Sequence, residues 1–209
     1  MGNNKFNITI EKPSILLVEG PDDRSFFEAL LRYLAIQSVQ IKDVSGKDNF
    51  SYTFEALLNA EGGSLVKNIG FVRDADKPNA QAAFKAICSI LNKNKYPCPA
   101  EIGKMIESDG KKVNIFIMPN NNDSGMLENL CINSIREIDI LHCIDCFIKC
   151  YAPIISNEKH NVPKATILAY LSTRVPVVNT LGVAAQQKVW DFSHECFNQI
   201  KAFLFDLFG

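Results

Sequence analysis

The sequence predicts an α/β fold: a mainly parallel four- to five-stranded sheet with helices on both faces, plus a C-terminal helical region. Three observations predict it. Short continuous apolar runs such as "SILLV" have the texture of strands covered on both faces. Segments with apolar residues at helical spacing stand between those runs, giving a β-α-β-α-β-α-β order that argues for parallel pairing. From about Glu137 onward the helical pattern continues with no strand in it.

Taken in order, "SILLVE" is the first strand, and Phe26, Phe27, Leu30, Leu31 and Leu34 then fall at helical spacing from Asp22 onward. "VQIKDV" alternates like a half-covered strand. "DNFSYTFEALLNAEGG" has a cap-like Asp48, a helical apolar pattern and Gly62-Gly63 as a stop. "NIGFVRDAD" is a third strand and "NAQAAFKAICSILNK" a third helix. "EIGKMIESDGKKVNIFIMP" reads as a hairpin turning at Asp109-Gly110, whose second arm is the last strand. "EIDILHCIDCFIKCY", "VPKATILAYLSTR" and "FSHECFNQIKAFLFDLF" read as helices. Residues 1–136 are thus expected to form the α/β core, and 137–209 a helical region packed on it as one compact unit. Cys143, Cys146 and Cys150 share one helix face, which is assigned to the core because free cysteine is commonly buried.

Bulk properties narrow the function only slightly. With 209 residues and a net charge of −1 the chain has no global basic field, which leaves a local nucleic-acid surface open without suggesting one. No apolar run approaches the ~18 residues that span a bilayer. The first residues lack the apolar centre of a signal peptide, and seven cysteines in such a chain read as reduced thiols, so a cytoplasmic location and no membrane partner are expected.

The chemistry lies in the acids that follow the strands. In a parallel sheet ligands gather outside the carboxyl ends of the strands. The first strand ends in Glu19, with Asp22 and Asp23 in the next turn. The third ends in Asp74 and Asp76, two residues apart. The last is followed by Asp123 and Glu128. Each group also has a plain reading, as a helix cap or a polar turn. Their convergence on one edge does not, because carboxylates crowded together repel unless a cation lies between them. Hard oxygen donors of this kind suit Mg2+ or Mn2+, as one ion or two.

"LLVEGPDD" followed by "FVRDADKP" resembles the TOPRIM domain of topoisomerases and primases, closest to small bacterial TOPRIM-like proteins and to the nuclease domain of the overcoming-lysogenization-defect (OLD) family. The resemblance covers roughly Ser14 to Leu130. It implies that Glu19 is a metal ligand or general acid/base, that Asp23 matches the acid of "VEG-x-x-D", and that Asp74 and Asp76 form the metal-binding D-x-D. Asp22 is then the helix cap. Glu128 resembles a later acid that serves a second metal, and Lys47 (in "SGK") and Lys164 resemble lysines that face a phosphate. Met126 stands where OLD-type enzymes favour a small hydroxyl residue, which weakens the two-metal part of the pattern.

The implied function is divalent-metal-dependent phosphodiester hydrolysis on DNA or RNA, with Glu19, Lys47 and Lys164 in catalytic roles. The alternatives are a non-catalytic TOPRIM-like module that binds metal or a partner, and a primase-like nucleotidyl transferase. Nucleic acid is the expected partner. OLD-type nucleases usually carry an ATPase, and this sequence has no Walker A element, so a separately encoded ATPase partner is conceivable. The aromatic stripe in "FNQIKAFLFDLF" leaves a homodimer open.

Overall fold

The computed structural model describes residues 9–75, 79–154 and 161–209. Five strands, β1 (Ser14–Val18), β2 (Val39–Asp43), β3 (Asn68–Asp74), β4 (Ile106–Ser108) and β5 (Lys111–Met118), form one sheet in the order β2-β1-β3-β5-β4. All neighbours are parallel except β4 and β5, the two arms of the hairpin that the sequence predicts at Asp109-Gly110. The α/β class and the mainly parallel sheet are as expected.

Helix α1 (Pro21–Tyr33) follows β1, α2 (Phe50–Leu58) follows β2 and α3 (Ala80–Lys93) follows β3. The connection β1→β2 runs one way along the sheet with α1 on one face; β2→β3 and β3→β5 run the other way with α2 and α3 on the opposite face. Reversing direction while changing face keeps every crossover of the same hand, as parallel sheets require. The reversal creates a crevice between the carboxyl ends of β1 and β3, where doubly wound sheets bind ligands.

Strict alternation along the strands fills both faces. Ile15, Leu17, Ile69, Phe71, Val113, Ile115 and Ile117 pack under α2 and α3 against Phe50, Phe54, Phe84 and Ile87. Leu16, Val18, Val72, Phe116 and Met118 face α1 and the helices that come late in the chain. Those are α4 (Leu127–Ile132), α5 (Ile138–Tyr151), α6 (Val162–Ser172), α7 (Leu181–Gln186) and α8 (Asn198–Phe208). Helices α4 and α7 are six-residue segments, too short for a periodic signal to have marked them in the sequence. Helix α8 lies on the middle of the sheet: a Cβ on Gly70 of β3 would stand 3.0 Å from Leu207 and 3.2 Å from Phe203, both on α8.

Three expectations fail here. Asp48 lies in a short 3-10 turn ahead of α2, whose N-cap is Asn49. Asp22 does not cap α1. The N-cap is Gly20, and Asp23 reaches back to accept the Gly20 N–H (3.1 Å), while Asp22 Oδ1 accepts the N–H of Gly182 on α7 (3.1 Å). Nor do the cysteines of α5 face the core. Ile144 and Ile148, four residues apart, are the buried pair, and this turns Cys143, Cys146 and Cys150 to solvent. We therefore predict that alanine at all three costs less than about 1 kcal/mol in total, as for other exposed positions. In native protein a disulfide reagent should label these three promptly and leave Cys131, fully buried with its thiol pushed well above the usual range by burial, until the chain unfolds. Collapse of the triple variant would restore them to the core.

Candidate metal centre

The carboxyl edge of the sheet is built one contact at a time. The β1–β2 pairing runs on past the strands: Val44 N–H donates to Val18 C=O (2.9 Å) and Gly46 N–H to Glu19 C=O (2.9 Å). This holds the turn that begins at Lys47 beside Glu19. On the other side Asp74 N–H donates to Glu19 Oε2 (3.4 Å), so the Glu19 side chain leans from β1 across to the end of β3. Asp74 Oδ1 in turn accepts the N–H of Leu127 (3.2 Å), tying β3 to the first residue of α4. The next residue on α4 is Glu128.

Asp23 lies within the field of both glutamates. Its carboxyl is pushed up from 3.8 to about 7, first by burial and then by the negative charges of Glu19 and Glu128, with the Gly20 N–H opposing. Glu128 is also raised, mainly by burial and further by Asp22, while its own backbone N–H and the ammonium of Lys164 act the other way. Lys164 owes its position to Asn161, whose Oδ1 caps α6 by accepting the Lys164 N–H (3.0 Å) and whose Nδ2 donates to Met126 Sδ (3.3 Å). Met126, in the place of the hydroxyl residue of OLD-type enzymes, thus joins α4 to the α6 N-terminus.

The structure therefore brings together Glu19, Asp23, Asp74 and Glu128, with Lys164 facing the last and Lys47 opening the turn against Glu19. Asp76 lies outside the described residues. Asp123 is separate: it is exposed and closes a loop with Asn120, accepting from Nδ2 at 2.7 Å. Among the described residues no three acid, histidine or cysteine side chains already stand close enough to hold an ion. The donor set nevertheless suits a hard cation, because a carboxyl held near neutrality by burial and by its neighbours' negative charges is relieved when a positive ion joins them.

That relief has a measurable sign. Asp23 is raised in the folded state, so the folded chain holds a proton between about pH 4 and 7 that the unfolded chain has released. Its contribution is present below pH 4 and is lost as pH rises through 7. Metal-free protein should melt several degrees lower at pH 8 than at pH 5.5, and Asp23→Asn should flatten that slope. Mn2+ should help most at high pH, since the carboxyl must be ionised to bind it. A flat profile for the parent, or an unchanged one for Asp23→Asn, would mean that burial and its neighbours do not hold Asp23 above its usual range.

Arg73 went unnoticed in the sequence. It interrupts the apolar run of β3 just before Asp74, and that interruption was the available signal.

Among solved structures, a hypothetical protein from Pyrococcus horikoshii OT3 is similar over 94% of this chain and 95% of that one, with 18% identity and a TM-score of 0.53, and so shares the fold. The C-terminal region of the Burkholderia pseudomallei OLD protein aligns over 96% of this chain and all of that one, at 16% identity and a TM-score of 0.46. That of the Xanthomonas campestris pv. campestris OLD protein aligns over 93% of this chain and 86% of that one, at 13% and 0.41. Among curated proteins none matches the sequence. The family model described as "Protein of unknown function (DUF3226)" matches residues 13–209, and the chain belongs to that family.

Proposed function

We propose that this protein hydrolyses phosphodiester bonds in nucleic acid with the help of Mg2+ or Mn2+. The observation that carries the reading is that Asp74 is tied by its N–H to Glu19 and by its carboxylate to the first residue of α4, so that acids from β1, β3 and α4 share the crevice where the sheet reverses direction. The likeness of "VEGPDD" and "RDAD" to the TOPRIM pattern agrees with it.

Glu19, Asp74 and Asp23 would hold the ion, with Asp76 and Glu128 completing its surroundings. The bound ion would polarise the phosphodiester and ease ionisation of the attacking water. The chain's own groups do the rest. Asp23, whose proton affinity lies near neutrality, is suited to take up or release a proton as the cation arrives. Glu19 is held by Asp74 N–H, so its charge stays at the edge instead of turning to solvent. Lys164, exposed on the first turn of α6, and Lys47 supply positive charge for the phosphate oxygens.

The test is cleavage of single- and double-stranded DNA and RNA with Mg2+ or Mn2+, compared between the parent and Glu19→Gln. Absence of cleavage in the parent, or equal cleavage in the variant, overturns the reading in favour of a module that binds metal or a partner without catalysis.

A further inference from the structure

Arg73 carries a buried nitrogen that meets no acceptor among the described residues. The chain has five arginines, and four of them donate to a named acceptor: Arg24 to Glu28, Arg32 to Gln186, Arg136 to Asp191 and Arg174 to Glu137. Arg73 is the exception. Its Nε is buried with no hydrogen-bond acceptor, while the residue as a whole is half-buried at the strand end. A guanidinium nitrogen withdrawn from water without an acceptor is uncommon, because that donor loses hydration and gains nothing.

Its place makes the lack informative. Arg73 pairs in register with Ile117 on β5, and continuing the β1–β3 register (Leu17 opposite Phe71) by two residues sets it beside Glu19. It is the last residue of β3 before Asp74, so it stands at the mouth of the crevice. By strand alternation it lies on the face of α2 and α3, while Asp74 reaches α4 on the opposite face. Asp74 and Arg73 therefore flank the end of β3 from opposite sides, and Glu19, in step with Ile15 and Leu17, shares the face of Arg73. Among the described residues no acceptor reaches the buried Nε, which leaves that donor open to something that arrives.

We infer that Arg73 binds a non-bridging oxygen pair of the phosphate on which the site acts, from the side of the crevice opposite Asp74. This rests on the phosphodiesterase reading and extends it, since the sequence had offered only Lys47 and Lys164 for that charge. The planar fork of arginine matches two phosphate oxygens, which a lysine ammonium cannot do. Arg73 would fix the direction in which the phosphate faces, and the lysines would add charge without orientation.

Inorganic phosphate in Mg2+ buffer is the probe, followed by thermal melting of the full chain. Phosphate should raise the melting temperature of the parent. Arg73→Gln should weaken apparent phosphate affinity at least about tenfold, and Arg73→Lys, which keeps the charge and loses the fork, should lose most of it as well. Should Arg73→Gln fold poorly, the Arg73→Lys comparison decides alone. Lysine behaving like the parent would reduce Arg73 to a through-space charge and overturn the inference, as would a parent indifferent to phosphate. Cleavage assayed in parallel separates this from the parent reading. An arginine-dependent phosphate shift without cleavage keeps the anion site and removes the nuclease. Cleavage that survives Arg73→Gln at unchanged KM keeps the nuclease and removes the anion site.

Discussion

Glu19→Gln should leave a folded protein that cleaves at least about 10^3-fold more slowly, in line with the loss of a charged group acting on the transition state. The exchange is close to isosteric. The backbone bond from Gly46 to the carbonyl of residue 19 is untouched, and a glutamine oxygen can still accept the N–H of Asp74. What disappears is one negative charge from a group of four. Two consequences then diverge in sign. The ion should bind more weakly, so the rise in melting temperature produced by Mn2+ should shrink. Metal-free protein should meanwhile be as stable as the parent or more so near pH 8, because Asp23 loses one of the two charges that oppose its ionisation. A simple structural role for Glu19 gives the opposite pattern, a lower melting temperature in both conditions. Calorimetry with and without metal, next to the cleavage assay, therefore separates a functional acid from a structural one.

Gly182→Ala should destabilise the fold by about 2–4 kcal/mol, although alanine is the better helix former. A Cβ at this position would stand 2.6 Å from the Cβ of Ser25 and 2.9 Å from the backbone oxygen of Asp22. The second of these is main chain in the first turn of α1 and cannot rotate away. Helix α7 would have to lift, weakening the Gly182 N–H to Asp22 bond and the Gln186 Nε2 to Ser25 carbonyl bond (2.7 Å). Alanine gains less than about 1 kcal/mol in helix propensity, and overpacking a close contact costs about 1–3 kcal/mol before any hydrogen bond is lost. The clash should win, lowering the melting temperature by roughly 5–15 °C in a chain of this size. A stabilised variant would show that α7 does not press on α1 this closely. The shift also moves Asp22 and Asp23, so the metal response should weaken along with the fold.

How much of this was legible in the sequence depended on whether a residue's role is local. The apolar runs marked β1, β3 and β5, and Asp109-Gly110 marked the hairpin, because those signals lie within a few residues of one another. Strand order did not, since nothing in "VQIKDV" says that it pairs outside β1. On α5 two sets of residues had helical spacing, Cys143/Cys146/Cys150 and Ile144/Ile148, and only the helices packed alongside decide which faces inward. Asp22 and Asp23 are adjacent and chemically identical. Their roles separate through Gly182, 160 residues away in sequence, and through Glu128. For Arg73 the sequence shows the break in the apolar run, but not the unsatisfied Nε, which is a property of the neighbours. The candidate acids could be named because a strand end is a local landmark, while the spacing between them was open.

The position of α8 has a bearing on how the chain acquires its shape. The helix covers the middle strand at Gly70, yet about 80 residues separate the end of β5 from its first turn. At a synthesis rate of roughly 5–20 residues per second, one side of the newly made sheet waits on the order of ten seconds for its cover. During that interval Leu16, Val72 and Phe116 are open to whatever else is apolar, including a neighbouring nascent chain. A ribosome-stalled fragment ending before Asn198 should therefore be a good client for a hydrophobic-segment chaperone, and release should coincide with emergence of Phe203, Leu204 and Leu207.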